Sequence, residues 1–453
     1  MSLKLSGFPL FTFILLGQSA ALLGATVTNF ALGIWAYEKA GNVADYTWIA
    51  VAATLPGIFL GPILGVYIDR WPRKSTLIIS QIGNATVLGI IAALLFAKTL
   101  AVWNIVAVVP FGAICAAVLQ ISFSSTISSM VGKDRLSQAN ALLGLVFGVV
   151  QLAGPLLGGA ALDHFTLEHI LLATLIAYVI AIFTLLISPI PTPQRHEEIA
   201  SKSVLGDLRE GYLYLSEKPG LMGGLWMFTL IWFSVSIIQV LFVPVVLGFG
   251  TRTELGAIQT AGGVGLLVGG ILMVAFKGPK RLMVGIALPC IVFSIAFILI
   301  PLSRSAQVIS VASLLVMAFL PMANAASQTL WQRKTSPQYQ GRVFALRNTI
   351  MKAAQPLAFI SAGFLADHVF EPNLQADGAW AALLGPFWGV GQGRGAALMM
   401  SLFGLVSLVF VVIGLLNRNI RRADIDLPDC EPVPAPPPTT AADSAEPPQS
   451  ARP

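Results

Sequence analysis

Apolar residues in this chain run in stretches of about twenty or more, separated by short joints of charged, Pro or Gly residues. Six stretches fall near residues 9–36, 46–68, 75–97, 102–126, 138–162 and 168–189. Six more fall near 221–247, 254–276, 282–301, 306–331, 344–367 and 394–416. About 20 apolar residues in a helix cross the roughly 30 Å hydrocarbon core of a bilayer. With no water there to satisfy backbone polar groups, only helices and closed barrels can span it, and runs of this length exclude barrel strands. The pattern predicts an all-α membrane protein with twelve transmembrane helices in two six-helix bundles. The first stretch, MSLKLSGFPLFTFILLGQSAALLG and on to about Trp35, has neither the short apolar core nor the cleavage site of a signal peptide, so it reads as an uncleaved first helix.

The joints divide the chain into an N-terminal six-helix bundle (1–190), a linker (191–220), a C-terminal six-helix bundle (221–420) and a tail (421–453). Within the linker, VLGDLREGYLYLSEK places apolar and charged residues at helical spacing, which predicts an amphipathic helix on the membrane surface. The Pro- and Ala-rich tail, CEPVPAPPPTTAADSAEPPQSARP, has no apolar periodicity and reads as disordered.

Composition agrees with this class. The chain is 56% hydrophobic and 11% charged, where a soluble domain carries about 25% charged residues. The net charge of +6 comes from basic residues in short loops, with no basic stripe or nucleic-acid motif. Arg70, Arg73, Lys74, Lys133, Arg135, Lys277, Lys280, Arg281, Arg333, Lys334, Arg342 and Arg347 all fall on one side of the predicted topology, with the linker and the C-terminal flank. The opposite side holds Lys39, Lys98, Arg252, Arg304 and Arg394. This asymmetry predicts that both termini are cytoplasmic. The three cysteines suggest no disulfide framework, and no metal-ligand spacing, nucleotide-binding loop or nucleophile elbow appears. Neither a cofactor nor an enzyme activity is expected; the expected partners are the bilayer and a small molecule, and the expected oligomeric state is a monomer.

Two patterns carry mechanism. Gly159-Ala-Ala-Leu-Asp163-His164 closes the fifth helix, and Gly363-Phe-Leu-Ala-Asp367-His368 closes the eleventh, 204 residues later and in the same direction. That is a parallel internal repeat of the kind that places a substrate site between two halves. The second pattern, Gly65-Val-Tyr-Ile-Asp69-Arg70-Trp-Pro-Arg73-Lys74, joins helices two and three. Gly65 permits a close helix approach, and Asp69 beside Arg70, Arg73 and Lys74 is placed to pair across an interface. This G-x-x-x-D-R-x-x-R-K order resembles the loop motif of the major facilitator superfamily. Gly17-Gln18-Ser19, Ala31-Leu-Gly-Ile-Trp35, Gln138-Ala-Asn140 and Gly341-Arg-Val-Phe344 resemble its branch of macrolide efflux proteins and enterobactin exporters. In helix five, Gly154, Pro155, Gly158 and Gly159 resemble the exporters' Gly-Pro motif and predict a kink, although Val150 replaces a glycine of that motif. The resemblance implies alternating access, export, and coupling to an ion gradient, with protons as the possible partner.

Polar residues inside a membrane mark a cavity or a packing contact. The candidate cavity residues are Gln18 and Asn29 in helix one, Gln120 in four, Gln151 in five, Trp232 and Gln239 in seven, and Gln259 in eight. Asn324 and Gln328 in helix ten and Asn348, Lys352 and Gln355 in eleven complete the set. Helix three carries Gln81 and Asn84, placed nearer its inner end, and the resemblance puts helices three, six, nine and twelve outside the cavity. Lys352 is a basic residue well inside a helix, suited either to an anionic substrate or to snorkelling towards headgroups. No Asp or Glu falls mid-helix, which leaves the coupling residue unassigned. The expected function is export of a small amphipathic molecule (a drug, siderophore or peptide natural product) across the cell membrane. An importer or lipid flippase of the same fold, or a transport-inactive sensor, remains the alternative.

Overall fold

A computed structural model describes residues 7–68, 71–131, 135–190, 204–276, 279 and 281–430. The first six long helices are α1 (Gly7–Ala40), α2 (Val43–Ile68), α3 (Arg73–Phe96), α4 (Val102–Met130), α5 (Leu136–His164) and α6 (Leu167–Ile187). After a short helix α7 (Val204–Ser216) come α8 (Pro219–Leu247), α9 (Arg252–Ala275) and α10 (Leu282–Leu299). Next are α11 (Ala306–Met317), α12 (Leu320–Lys334), α13 (Pro337–Leu365), α14 (Glu371–Asn373), α15 (Ala381–Trp388) and α16 (Arg394–Leu416), and then the short α17 (Arg418–Arg421) and α18 (Ala423–Asp426). Eleven described spans are long and apolar enough to cross a membrane, and α2 adds a shorter apolar stretch over Val43–Ile58. The expected all-helical architecture is therefore present. The end of the molecule with the α1–α2 turn is called the turn face, and the end with α7 the linker face.

Two helix sets pack internally and meet along two seams. In the first set α1 lies against α5 and α6, α4 against α2 and α3, and α3 against α6. In the second, α8 lies against α13 and α16, α10 against α12 and α16, and α9 against α11. The seams between the sets are α5 on α9 and α2 on α13. One buried apolar cluster bridges the sets towards the turn face, joining Ile34, Tyr37, Val43 and Val51 to residues including Val245, Val246, Leu255, Ala362, Ala366 and Phe370.

Local chemistry explains three departures from the sequence pattern. The tenth predicted helix is broken into α11 and α12 at Ala318–Phe319. Pro321 in the first turn of α12 has no N–H to continue the ladder, so a fresh helix start is the natural solution. The eleventh begins at Pro337 instead of residue 344, and it passes at Ala366–Phe370 into a π-helical turn that carries Asp367. The third lies at α7, whose apolar side is partly taken up by protein while Tyr212 and Leu213 stay exposed. Leu215 is buried with Trp331, Val343 and Leu346, Tyr214 stacks on Tyr339 at 4.6 Å between ring centroids, and Glu210 pairs with Arg342 at 2.6 Å.

Glycine sets the closest crossings. A Cβ at Gly265 would stand 2.0 Å from the Leu314 carbonyl oxygen, and one at Gly269 would stand 2.0 Å from that of Ala318, so α9 lies directly on the backbone of α11. At Gly270 the same atom would enter open space. Gly269→Leu should therefore lower stability by about 1–3 kcal/mol, read as an earlier thermal unfolding transition in detergent, while Gly270→Ala should leave the transition in place.

Candidate functional site

A cavity of about 540 Å³ lies within the first helix set. Its walls come chiefly from α1, α3 and α4, with Leu143, Val146 and Phe147 of α5, Thr174 and Tyr178 of α6, and Ala53 of α2. Amides reach it from three helices: Gln18 and Asn29 on α1, Gln81 and Asn84 on α3, and Gln120 on α4. Leu, Val, Ile and Phe side chains form most of the remaining wall, and among the described residues no Asp, Glu, Lys or Arg lines it. The lining is amphipathic and uncharged.

Small residues on α1 bring its neighbours close enough to build this wall. A Cβ at Gly17 would fall 2.4 Å from Thr184 Oγ1, and one at Gly24 would fall 3.1 Å from Thr174 Oγ1, so α6 rests on the backbone of α1. The contact is sealed by the Thr28–Thr174 hydroxyl pair at 2.8 Å and by Thr174 donating to the Gly24 carbonyl at 3.1 Å. Beside it, Gln81 Nε2 donates to Gln18 Oε1 at 3.2 Å, and Gln18 Nε2 donates to the Ala181 carbonyl at 3.3 Å. Gln81 is only 1% exposed and its Oε1 has no hydrogen-bond partner. Such a buried, half-satisfied amide is costly unless something else completes it.

The cavity differs from the sequence expectation in which helices form it. Gln81 and Asn84 are the ninth and twelfth residues of the 24-residue α3, in its inner half, and α3 and α6 both line this cavity, whereas the resemblance placed them outside the substrate cavity. The sequence signal that could have found them is the pair of glycines on α1, Gly17 and Gly24. Of the predicted residues, Gln18, Asn29 and Gln120 are brought together, and the others lie elsewhere. Gln151 is exposed on α5, Trp232 and Gln239 on α8, Asn324 and Gln328 on α12, and Asn348 and Lys352 on α13, while Gln259 and Gln355 are partly buried. Lys352 is fifteen residues past Pro337, about 22 Å along α13 at 1.5 Å per residue and so near mid-helix, deeper than the later predicted start implied. Arg347, which the sequence reading left in a loop, lies over the Trp331 ring at 5.5 Å and donates to Gln328 Oε1 at 3.4 Å.

The loop after α2 is only partly described. Gly65 lies on α2, and Asp69 and Arg70 fall outside the described residues. Arg73 opens α3. Lys74 donates to the carbonyls of Leu186 and Ser188 at 2.8 and 2.9 Å, so it ties the end of α6 to α3 within one helix set. The helix-five glycines serve two neighbours. Gly154 and Gly158 accommodate Thr26 and Phe30 of α1, whereas Gly159 accommodates the Arg252 carbonyl and Thr253 of α9, and Pro155 presents its carbonyl to Gly256 of α9. Gly148 approaches Leu267 of α9.

Hydrogen bonds join the two sets at the turn face. Asp367 accepts from the backbone N–H groups of Val43 at 2.9 Å and Ala44 at 2.6 Å. Glu38 and Arg252 form a two-bond ion pair at 2.7 and 2.8 Å, and Thr253 donates its hydroxyl to Asp163. Deeper along the α5–α9 seam, Thr260 donates to the Leu152 carbonyl at 3.0 Å. Sequence reasoning registered the two Asp residues only as a repeat and gave Glu38 no part.

Two helix sets of the same direction, the first of them enclosing an uncharged cavity, are the plan of a membrane transporter. The chain belongs to the Major Facilitator Superfamily, whose family model matches residues 14–359. It is 23% identical over 357 residues to "Macrolide efflux protein A" of Streptococcus pyogenes, covering 78% of this chain and 88% of that protein. An MFS-type transporter of Bacillus subtilis, YfiS, is 23% identical over 378 residues, covering 79% and 86%. Among solved structures, a bacterial homolog of the human lysosomal transporter Spinster, in an inward-facing and unoccupied conformation, superposes with a TM-score of 0.65 at 14% identity, covering 92% of this chain and 99% of that one. The nucleoside transporter NupG superposes with a TM-score of 0.64 at 14% identity, covering 89% and 98%. These structural likenesses establish the fold.

The amide pair supplies a direct test. Gln81→Leu removes the buried, incompletely bonded amide and leaves only Gln18 Oε1, which is partly exposed to the cavity, without its donor, so the thermal transition should change little. Gln18→Leu strands the Gln81 N–H as well as its carbonyl and should cost about 1–3 kcal/mol, seen as an earlier transition in the same assay.

Proposed function

We propose that this transporter exports an amphipathic molecule whose contact face is uncharged, by alternating access, and that it takes the substrate from the cytoplasmic side. The observation that carries the reading is the neutral, amide-lined cavity of about 540 Å³ in a molecule whose turn face is held shut between its two helix sets. Drug-sized ligands occupy pockets of roughly 300–1,000 Å³ that are mostly apolar with a few placed polar groups. The excess of basic residues in the loops of the linker face supports a cytoplasmic linker face. A molecule entering from that side and released at the turn face is exported. The likeness to macrolide efflux proteins favours large, hydroxyl-bearing lactones over small charged metabolites as substrates.

Recognition follows from the lining. Gln18, Asn29, Asn84 and Gln120 offer both donors and acceptors to hydroxyl and carbonyl groups, and Phe123, Phe147 and the Leu and Val side chains cover the apolar face of the same molecule. Lys352, exposed at mid-helix on the other set, is the titratable candidate for coupling to a proton gradient. The loop holding Asp69 and Arg70 is the candidate latch on the linker face.

Expression in an efflux-deficient bacterial host, with macrolide resistance and accumulation measured together, tests this. The intact protein should lower accumulation, and an importer would raise it. Asn29→Leu and Gln120→Leu should each weaken efflux by about three- to tenfold, the loss of one hydrogen bond of roughly 1 kcal/mol, with membrane levels of the protein unchanged. Lys352→Ala should abolish the dependence of efflux on the proton gradient. Normal gradient-driven efflux by that variant would assign Lys352 to snorkelling.

A further inference from the structure

The repeated Gly-x-x-x-Asp sequence closes α5 and the α13 end, and the structure gives its two copies the same surroundings. At the first copy, a Cβ on Gly159 would stand 2.8 Å from the Arg252 carbonyl oxygen and 3.2 Å from Thr253 Cα, in the first turn of α9. At the second, a Cβ on Gly363 would stand 2.7 Å from Ala44 Cα, in the first turn of α2. Each glycine thus admits the opening turn of a helix from the opposite set. Residues four apart lie one above the other on a helix, so the aspartate after each glycine meets that same turn. Asp163 accepts from the Thr253 hydroxyl, and Asp367 accepts from the Val43 and Ala44 N–H groups at 2.9 and 2.6 Å.

We infer that Asp163 and Asp367 are a pair of positioning residues for the transport cycle: Asp367 caps the backbone of the first turn of α2, Asp163 bonds a hydroxyl in the first turn of α9, and together they hold the turn face shut. A helix start leaves several N–H groups without intrahelical partners and carries a partial positive charge, so a carboxylate is the fitting occupant. When the sets separate at the turn face, both carboxylates lose these partners to water, which biases the molecule towards the closed state. As the role in transport rests on alternating access, the test below uses no substrate.

The two latches are unequal in a way the geometry dictates. Helix α9 already has its own cap, because Thr251 and Glu254 exchange hydrogen bonds: Glu254 Oε2 accepts from the Thr251 N–H at 2.7 Å, and Thr251 Oγ1 accepts from the Glu254 N–H at 3.2 Å. Asp163 adds a single side-chain bond there, beside the Glu38–Arg252 pair. In α2, Asn42 Oδ1 accepts only from the Asp45 N–H, at 2.8 Å, and both preceding N–H groups go to Asp367. Asp367 is therefore the stronger latch.

Spin labels at Thr99→Cys and Gln307→Cys, both exposed and on opposite sets at the turn face, report the opening as an interlabel distance. They would be placed in the full chain, with Cys115, Cys290 and Cys430 replaced by Ser, reconstituted in lipid nanodiscs without ligand. Asp367→Ala should move the closed-to-open ratio towards open by about three- to thirtyfold, the range for losing a charged helix cap. Asp163→Ala should move it less, and the double variant most. Asp367→Asn, which keeps one acceptor oxygen, should fall between wild type and Asp367→Ala. Val43→Pro removes a donor instead, at a first-turn position that tolerates proline, and should open the face without touching the carboxylate. A thermal transition in each variant confirms folding. Unchanged distances in Asp367→Ala and the double variant would overturn the proposal. So would a larger effect from Asp163→Ala than from Asp367→Ala, or, if the Ala variants fail to fold, unchanged distances in both Asp367→Asn and Val43→Pro.

Discussion

Two helix crossings, α5 on α9 and α2 on α13, are the constraint on which the rest of the structure depends. Lipid tails are as apolar as the helix surfaces they solvate, so two helix sets in a membrane gain nothing from apolar contact alone. What joins them must be close backbone approach and polar bonds. Gly159 and Gly256 on one seam and Gly363 on the other supply the first, and Asp163, Asp367, Glu38 and Arg252 supply the second at the turn face. Polar bonds at one end of a seam hold that end while leaving the sets able to rotate as rigid bodies, which is the property alternating access requires.

Charge and polarity are sorted along the membrane normal in a way that matches this division of labour. The groups that join the sets at the turn face are carboxylates and an arginine at helix ends. Those that line the cavity are amides and hydroxyls: Gln18, Asn29, Gln81, Asn84, Gln120, Thr174 and Tyr178. An amide in a low-dielectric interior binds a neutral hydroxyl or carbonyl without the desolvation cost that a buried ion would carry. Among the described residues, Gln81 Oε1 is left without a hydrogen-bond partner in this wall.

Much of this was legible in the sequence, because membrane thickness sets helix length and lipid forbids unsatisfied backbone. The membrane helices α1 to α6 begin and end within about four residues of the apolar runs. The reading missed where Pro321 split one helix in two and where the eleventh helix began earlier than its apolar run. The cavity was harder. Amide-bearing positions could be listed, but which of them converge depends on how α1, α3, α4 and α6 tilt. That tilt is set by Gly17 and Gly24 meeting Thr184 and Thr174, contacts between residues more than a hundred positions apart. The repeated Gly-x-x-x-Asp was visible from the start, yet its partners, the opening turns of α2 and α9, carry no sequence mark of their role beyond being helix starts.

The claim that the turn face must open for transport is tested most directly by locking it. Asp163 and Thr253 meet across the α5–α9 seam through their side chains, within reach of a short thiol cross-linker. In a chain otherwise free of cysteine, Asp163→Cys with Thr253→Cys, cross-linked in proteoliposomes by a cleavable thiol reagent, should stop movement of a macrolide probe while leaving binding from the linker face intact, and cleavage of the link should restore movement. Undiminished movement through the fully cross-linked protein would contradict the account.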